Sequence, residues 1–427
     1  MANSAARQPS GRKARNVKSQ AKKKPTSGGI SKYLAVGNFD VPFLLLVIII
    51  LTTGLVMLFS ASYTYAYYNE HGDSAYFFKR QLIFAVAGVV AMLVISKIKY
   101  EYFKLLAYFA VPVSFVLLVV VLIMPAKFGD FHRWIYIGSF SFQPSEIAKL
   151  AIILYCAYGI EKDRKVIVGK TIGRTKLSKL ILDYSKGKVQ VYDSFVKLCW
   201  YSAIILITAV LVYAENHLSG ALLICGIGVT MLFLGEVKKH WFVLIVAVGI
   251  LMALFFVMNP ELLEKYAGSR ITAWLDKDYQ PLGARWQTNN SLYAIGSGGL
   301  FGAGLGNSKQ KHLYVSEPHN DFIFSIVCEE LGLIGASIIL IVFALLVWRG
   351  IVIGIHAKDR FGALISRGIV FQVGMQTILN ILVVTDTIPN TGISLPFFSY
   401  GGTSLMMLLA EMGMVLSVSR YSRLTKN

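Results

Sequence analysis

The sequence predicts an all-α polytopic membrane protein, with about ten transmembrane helices and a large extracytoplasmic loop between helices 7 and 8. Three observations lead there. Of 427 residues, 55% are hydrophobic and only 15% charged, more apolar surface than a soluble fold of this size hides. Apolar runs long enough to cross a hydrocarbon core, roughly 17–25 residues each, recur along the whole chain. The cations between those runs cluster in alternate connections, and that alternation sets an orientation.

The expected spans fall at about 41–62, 81–97, 103–124, 146–160, 195–214, 218–234, 241–258, 320–347, 363–384 and 404–420. The fourth is short and carries Glu146 and Lys149. The first follows a tail too long and too basic for a cleavable signal. That tail holds nine cations (Arg7, Arg12, Lys13, Arg15, Lys18, Lys22, Lys23, Lys24, Lys32) against one acid, Asp40. With the N-terminus inside, Lys97–Lys104, Lys162–Lys188, Lys238–Lys239, Arg349–Arg360 and Arg420–Lys426 all face the cytoplasm, as the positive-inside rule requires. Both termini are then cytoplasmic. The net charge of +19 is accounted for by topology, and no nucleic-acid partner is expected. Residues 1–40 read as a disordered basic tail resting on anionic lipid. Residues 41–420 read as one membrane domain, and 421–427 as a short cytoplasmic tail. The cytoplasmic loop 161–194 reads as an interfacial amphipathic helix. Cys156, Cys199, Cys225 and Cys328 lie in apolar runs without metal-ligand spacing and read as small hydrophobes.

The external segments 63–80, 125–145, 214–217, 259–319 and 385–403 collect the unusual motifs. In "HRWIYIG" (132–138) the residues alternate as in a short re-entrant or interfacial strand. Ser145 then reads as an N-cap and Glu146 as a first-turn acid, with Lys149 on the same helix face. A lysine at membrane depth costs roughly 2.5–3.5 kcal/mol on insertion scales, so Glu146 and Lys149 form either a site or a structural pair. Trp134 either stacks on a ligand or anchors at the interface. In "EPHNDFIFSIVCEELG" (317–332), His319 and Asp321 stand at the outer mouth of span eight. Glu329 and Glu330 lie two turns deeper, and two acids in tandem favour a polar cavity. "TDTIPNTGISLPFFSYGGTS" (385–404) cannot continue a helix, and irregular backbone at membrane depth must be buried in protein or line a cavity. Its Ser394, Ser399, Gly401 and Gly402 offer hydroxyls and backbone N–H groups to phosphate or sugar, although glycines also let helices pack closely. Lys79, Arg80, Arg133, Arg270 and Arg285 are external cations that the topology rule disfavours. Arginines beside a lipid surface suit a diphosphate headgroup.

The stretches "KRQ" (79–81), "HRWI" (132–135), "QPSEIAKL" (143–150), "AIGSGGLFGAGLGNSKQK" (294–311), "HNDFIFSIVCEELG" (319–332) and "NTGISLPFFSYGGTS" (390–404) together resemble the SEDS family of bacterial cell-wall polymerases, the family of FtsW, RodA and SpoVE. The resemblance spans roughly 40–420. It implies ten membrane helices and inverting glycosyl transfer on lipid II, an undecaprenyl-diphosphate-linked disaccharide pentapeptide, at the outer face of the bacterial cytoplasmic membrane. It implies a class B penicillin-binding protein transpeptidase as partner. The long basic tail points to the division or sporulation branch, hence to the septum and other divisome membrane proteins.

The family carries an Asp-Pro pair in this outer loop, in a pattern like "FLNPxxDPxGxGYQ", and the resemblance assigns that aspartate as catalytic. Here Gln280 precedes Pro281, so the expected base shifts to Asp278 and, after it, Asp276. A second departure is "ENHLSG" (215–220), where members often have "QPDLGT", so that His217 replaces an acid. An α-linked donor giving a β-linked polymer needs one base and one displacement, with no covalent intermediate. Arg80, Arg133 and Arg285 would stabilise the departing diphosphate, with a divalent cation (magnesium or manganese) as the one cofactor considered and no organic cofactor implied. Two other readings stay open on sequence alone. A flippase or transporter of the same lipid would use Glu329, Glu330 and Lys149 equally well, and the missing Asp-Pro pair lends weight to a non-catalytic division scaffold.

Overall fold

The computed structural model describes residues 37–124, 133–137, 140–169, 171–185, 192–237, 269–278 and 285–422, with isolated positions besides. Most of the seventh predicted span (241–258) and most of the basic tail lie outside the described residues. Residues 35–427 form one compact unit, built from helices α1 (Val41–Asn69), α2 (Tyr76–Ser96), α3 (Phe103–Ile123), α4 (Pro144–Val168), α5 (Lys176–Tyr184), α6 (Asp193–Ala214), α7 (Leu218–Leu234), α8 (Ser269–Leu275), α9 (Trp286–Gly298), α10 (Ile323–Ile355), α11 (Arg360–Val384) and α12 (Gly402–Ser419). Among the described residues, seven helices are long and apolar enough to cross a membrane. Helix α7 is a shorter apolar helix. Their outward faces stay apolar: Leu45, Ile49 and Val56 of α1, Val86, Val90 and Val94 of α2, and Leu105, Phe109 and Val116 of α3 are all exposed. In water such a surface would be a liability; against lipid tails it is the expected exterior.

Helix α4 explains why the fourth span reads as short and charged. It runs 25 residues, longer than expected, and packs against α3, α6, α7 and α11. From Ala148 to Leu154 every residue is buried. A helix wrapped by protein need not be apolar all round, so Lys149 finds partners that lipid would deny it. The helix opens with Pro144 in its first turn and Gln143 at the cap position. Ser145 is therefore inside the helix, not its N-cap, because a proline at the first position starts the helix without a capping hydroxyl. Just upstream, Ile135–Ile137 (β1) and Phe140–Phe142 (β2) form an antiparallel hairpin, the strand that the alternation of 132–138 predicts. Thr403 Oγ1 donates to the Ser141 carbonyl at 2.9 Å and fastens this hairpin to the start of α12.

The chain ends expected on the cytoplasmic side gather at one end of the bundle. Asp40, the N-cap of α1, pairs with Arg349 at 2.7 Å. Lys104 meets Glu161 at 2.7 Å, Arg360 meets Glu236 at 2.9 Å, and Arg420 donates to the Ser96 carbonyl at 2.8 Å. Nearby, α5 carries exposed Leu177, Leu180 and Tyr184, and its first turn is tied down by Asp193, which accepts from the Arg174 and Thr175 amides at 3.0 and 2.8 Å.

Helix α10 is broken two turns in. Gly332 sits at φ 67°, ψ −174°, a region open essentially only to glycine. The opened backbone is stitched to the glycine-rich segment after α9: Ala303 and Gly304 amides donate to the Glu329 and Glu330 carbonyls (2.9 and 3.0 Å), and the Leu333 amide to Gly299 (2.9 Å). A Cβ at Gly302 would strike the Glu330 carbonyl, and one at Gly332 would strike Gly302. Gly298 and Gly302 of the run "GSGGLFGAGLG" thus let two backbones touch.

Candidate active site

A cavity of about 290 Å³ opens at the bundle end opposite the Asp40–Arg349 pair, lined from α4, α7, α11, the start of α12 and the segments before α4, α10 and α12. Of the residues expected from sequence, Arg133, Trp134, Glu146, Lys149, Asp321, Ser394, Ser399 and Gly401 line it. Lys149 is 3% exposed; its ammonium meets Glu146 at 2.9 Å and donates to Gln376 Oε1 at 3.2 Å. Gln376 Nε2 in turn donates to the Ser394 carbonyl at 3.0 Å. Arg133 Nη2 donates to the Asn216 carbonyl. Ser399 Oγ accepts from the Leu395 amide (2.7 Å) and donates to the Asn320 carbonyl (2.9 Å).

The wall that holds this loop in place is built from residues the sequence reading did not single out. Asn380 Nδ2 bridges the Asp321 and Ile393 carbonyls at 2.7 and 2.6 Å. Gln81 donates to the Ser399 carbonyl (3.2 Å) and accepts from the Gly401 amide (3.1 Å). Gln372 Nε2 reaches Glu411 at 3.1 Å. Gln372, Gln376 and Asn380 recur every fourth residue on α11, one polar stripe in an apolar span. That spacing was the signal available to find them. His217 also lines the cavity, its Nδ1 3.2 Å from Gln143 Nε2. Burial, with Arg133 beside it, pulls its imidazole down to about 3, so it is neutral. Glu215 is fully buried, and among the described residues neither carboxylate oxygen finds a hydrogen bond. Burial pushes it up to about 8 despite the opposing charge of Arg133.

The other expected residues are elsewhere. Lys79 is bound to Asp73 at 3.0 Å on the surface, and the Arg80 guanidinium lies 4.5 Å from the Tyr76 ring centre. Arg285 is buried and paired with Asp386 at 2.7 Å. With Arg270 and Trp274 it lines a second cavity of about 210 Å³. The external cations therefore do not converge on one face. His319 packs its ring 4.2 Å from Phe77 and 4.9 Å from Tyr65, and burial lowers its pKa to about 4. Gly402 is a packing residue, since a Cβ there would strike the Phe84 ring of α2.

The tandem glutamates do not open the cavity expected of them. Glu329 accepts from the Lys309 amide at 2.9 Å and the Ser308 hydroxyl at 2.5 Å. Glu330 binds Lys311 at 2.9 Å and Ser60 at 2.7 Å. Their charge is met by the glycine-rich segment itself, the hydrogen bonding a buried carboxylate requires. Asp276 and Asp278 are exposed and line neither cavity, their one mutual contact being the Asp278 amide to Asp276 Oδ1 at 3.0 Å. Gln280 adopts a left-handed φ of 42°. Among the described residues no three His, Cys, Asp or Glu side chains are grouped to hold a metal. The described residues thus do not form a protein cage for a divalent cation.

Comparison with known proteins finds relatives along nearly the whole chain. Residues 41–424 match the FtsW/RodA/SpoVE family model, described as cell cycle protein. The chain is 38% identical to the stage V sporulation protein E of Bacillus subtilis over 387 residues, 90% of this chain and 98% of that one. It is 36% identical to a probable peptidoglycan glycosyltransferase FtsW of Trichlorobacter lovleyi, covering 91% of this chain and 95% of the relative. A solved structure described as "Structural coordination of polymerization and crosslinking by a peptidoglycan synthase complex" aligns with TM-score 0.68 at 25% identity, covering 90% of this chain and 98% of that one. The rod shape determining protein RodA of Thermus thermophilus aligns with TM-score 0.60 at 25% identity, with the same coverage. Whole-length matches of this kind, on a polytopic helical fold, mean that the chain belongs to the FtsW/RodA/SpoVE family of integral membrane proteins.

Proposed function

We propose that this protein is a peptidoglycan glycosyltransferase that polymerises lipid II at the outer face of the bacterial cytoplasmic membrane, in division or sporulation septum synthesis. The observation that carries the reading is the polar cavity at the end of the bundle opposite the cation-rich connections. Arg133, the buried Lys149 and an acid, Asp321, all line it, among hydroxyls and backbone amides. Arginine and lysine together suit a diphosphate leaving group, since charge that develops on the departing oxygen meets donors already in place. Trp134, on the cavity rim, offers a flat face to a sugar. The relatives named as peptidoglycan glycosyltransferases support the activity, and the solved synthase complex supports a transpeptidase partner. The basic connections support cytoplasmic termini through the positive-inside rule.

The ion pair of Glu146 and Lys149 inside a membrane helix also favours a second reading, transport of the same lipid across the bilayer. Detergent separates the two. Purified protein with its class B transpeptidase, given fluorescent lipid II in micelles, is expected to yield glycan polymer. A transporter has no second compartment in micelles and yields none, so absence of polymer with a competent partner overturns the glycosyltransferase reading.

A further inference from the structure

We propose that Asp321 is the general base of this transfer, an assignment that rests on the glycosyltransferase reading above. Three carboxylates line the cavity: Glu146, Glu317 and Asp321. Glu146 is held by Lys149 at 2.9 Å. Glu317 is exposed and accepts from Asn320 Nδ2 at 2.7 Å. Among the described residues, Asp321 has neither an ion-pair partner within 4 Å nor a hydrogen bond to its side chain. A base must have an acceptor oxygen available to the proton it takes, and among the three only Asp321 keeps both.

Its position is fixed even though its carboxylate is uncommitted. The Asp321 carbonyl is gripped by Asn380 at 2.7 Å. Gly392, at φ 69°, leaves room for the side chain: a Cβ there would lie 3.1 Å from Asp321 Oδ2. The backbone is thus locked and the carboxylate aimed into the cavity, the arrangement that makes a reacting group productive. Among the described residues, the charged and titratable groups around it are Glu317 on its own segment, Arg133 ahead of β1, Arg270 of α8, Glu146 and Lys149 of α4, His217 ahead of α7 and Tyr400 ahead of α12. Burial, helped by Glu317 and opposed by Arg133 and Arg270, raises Asp321 to about 6. An acid so poised is ionised at neutral pH and still basic enough to accept a proton. Asp276 and Asp278, exposed on the outer loop, have no such setting.

In the step, the acceptor sugar's hydroxyl gives its proton to the Asp321 carboxylate as its oxygen bonds to the donor's anomeric carbon. The bond from that carbon to the diphosphate oxygen breaks in the same displacement. The diphosphate leaves with the electron pair, towards Arg133 and Lys149. The proton on Asp321 then passes to water.

The test compares wild type with Asp321→Asn, Asp321→Glu, Asp278→Asn and Asp276→Asn, each purified with its transpeptidase partner and given fluorescent lipid II in detergent. Asp321→Asn is expected to lose about 100-fold or more in kcat, the usual worth of a general base, while still retaining fluorescent lipid II in a binding measurement. Asp321→Glu is expected to recover part of the rate. The wild-type rate should fall as pH drops below about 6, and that acid limb should be absent from the residual rate of Asp321→Asn. Near-wild-type turnover by Asp321→Asn, or a collapse confined to Asp278→Asn or Asp276→Asn, overturns the assignment and leaves the polymerase standing. Absence of polymer from wild type overturns the polymerase reading itself.

Discussion

Glu215 shows how far a single buried acid departs from its behaviour in water. No hydrogen bond from the described residues meets its carboxylate, and burial favours the protonated form and lifts it from 4.5 to about 8. The folded state therefore binds more proton than the unfolded state between those values, and stability must fall as pH rises through that window. Glu215→Gln removes the titration. Thermal unfolding in detergent is expected to show wild type losing stability from pH 5 to pH 8 while the glutamine variant changes less; parallel curves contradict the assignment. Lys149 was legible in the sequence because a charge in an apolar run is conspicuous. Gln376 and Asn380, which position it and the loop, were not. An amide costs less to bury than a charge, and in a single sequence it does not announce a site. Asp321 was visible, but that its carboxylate meets no partner among the described residues was not, because that depends on how the segments before α10 and α12 pack.

The elements were legible to the extent that lipid dictates them. Helices α1, α2, α3 and α6 fall where the apolar runs are, because a chain in hydrocarbon must satisfy its backbone internally. Helix α4 was underestimated at 146–160, since charges at 161–165 look like a loop until Lys104, Lys197 and Glu236 supply partners. The glutamates of α10 misled for the opposite reason: their partners come from residues 308–311 and from Ser60 of α1, which no helical periodicity reveals. The break at Gly332 carries its own prediction. Alanine there must adopt a glycine-only conformation and press against Gly302, strain worth about 1–3 kcal/mol before any clash is added. The expected result is a clearly lowered thermal midpoint with faster hydrogen exchange across 299–304. Unchanged exchange would show that the stitched backbones are not the fold's support.

For the whole molecule, one division of labour accounts for the sequence. Cation-rich connections gather at one end and pair with Asp40, Glu161 and Glu236. The irregular, glycine- and proline-bearing segments gather at the other, where the 290 Å³ cavity lies. The sequence foretold the two ends, since topology follows from charge. It did not foretell which outer residues share a cavity, because Arg133 and Arg285 go to different ones through contacts with Asn216 and Asp386. In the proposed reading this cavity performs the transfer. Its most direct test is the rate of lipid II polymerisation in detergent by Arg133→Ala with its partner, measured alongside thermal stability. Loss of a donor that meets developing charge is expected to cost about 100-fold or more, with the protein still folded and inserted. A folded Arg133→Ala variant that polymerises at the full rate would contradict the claim.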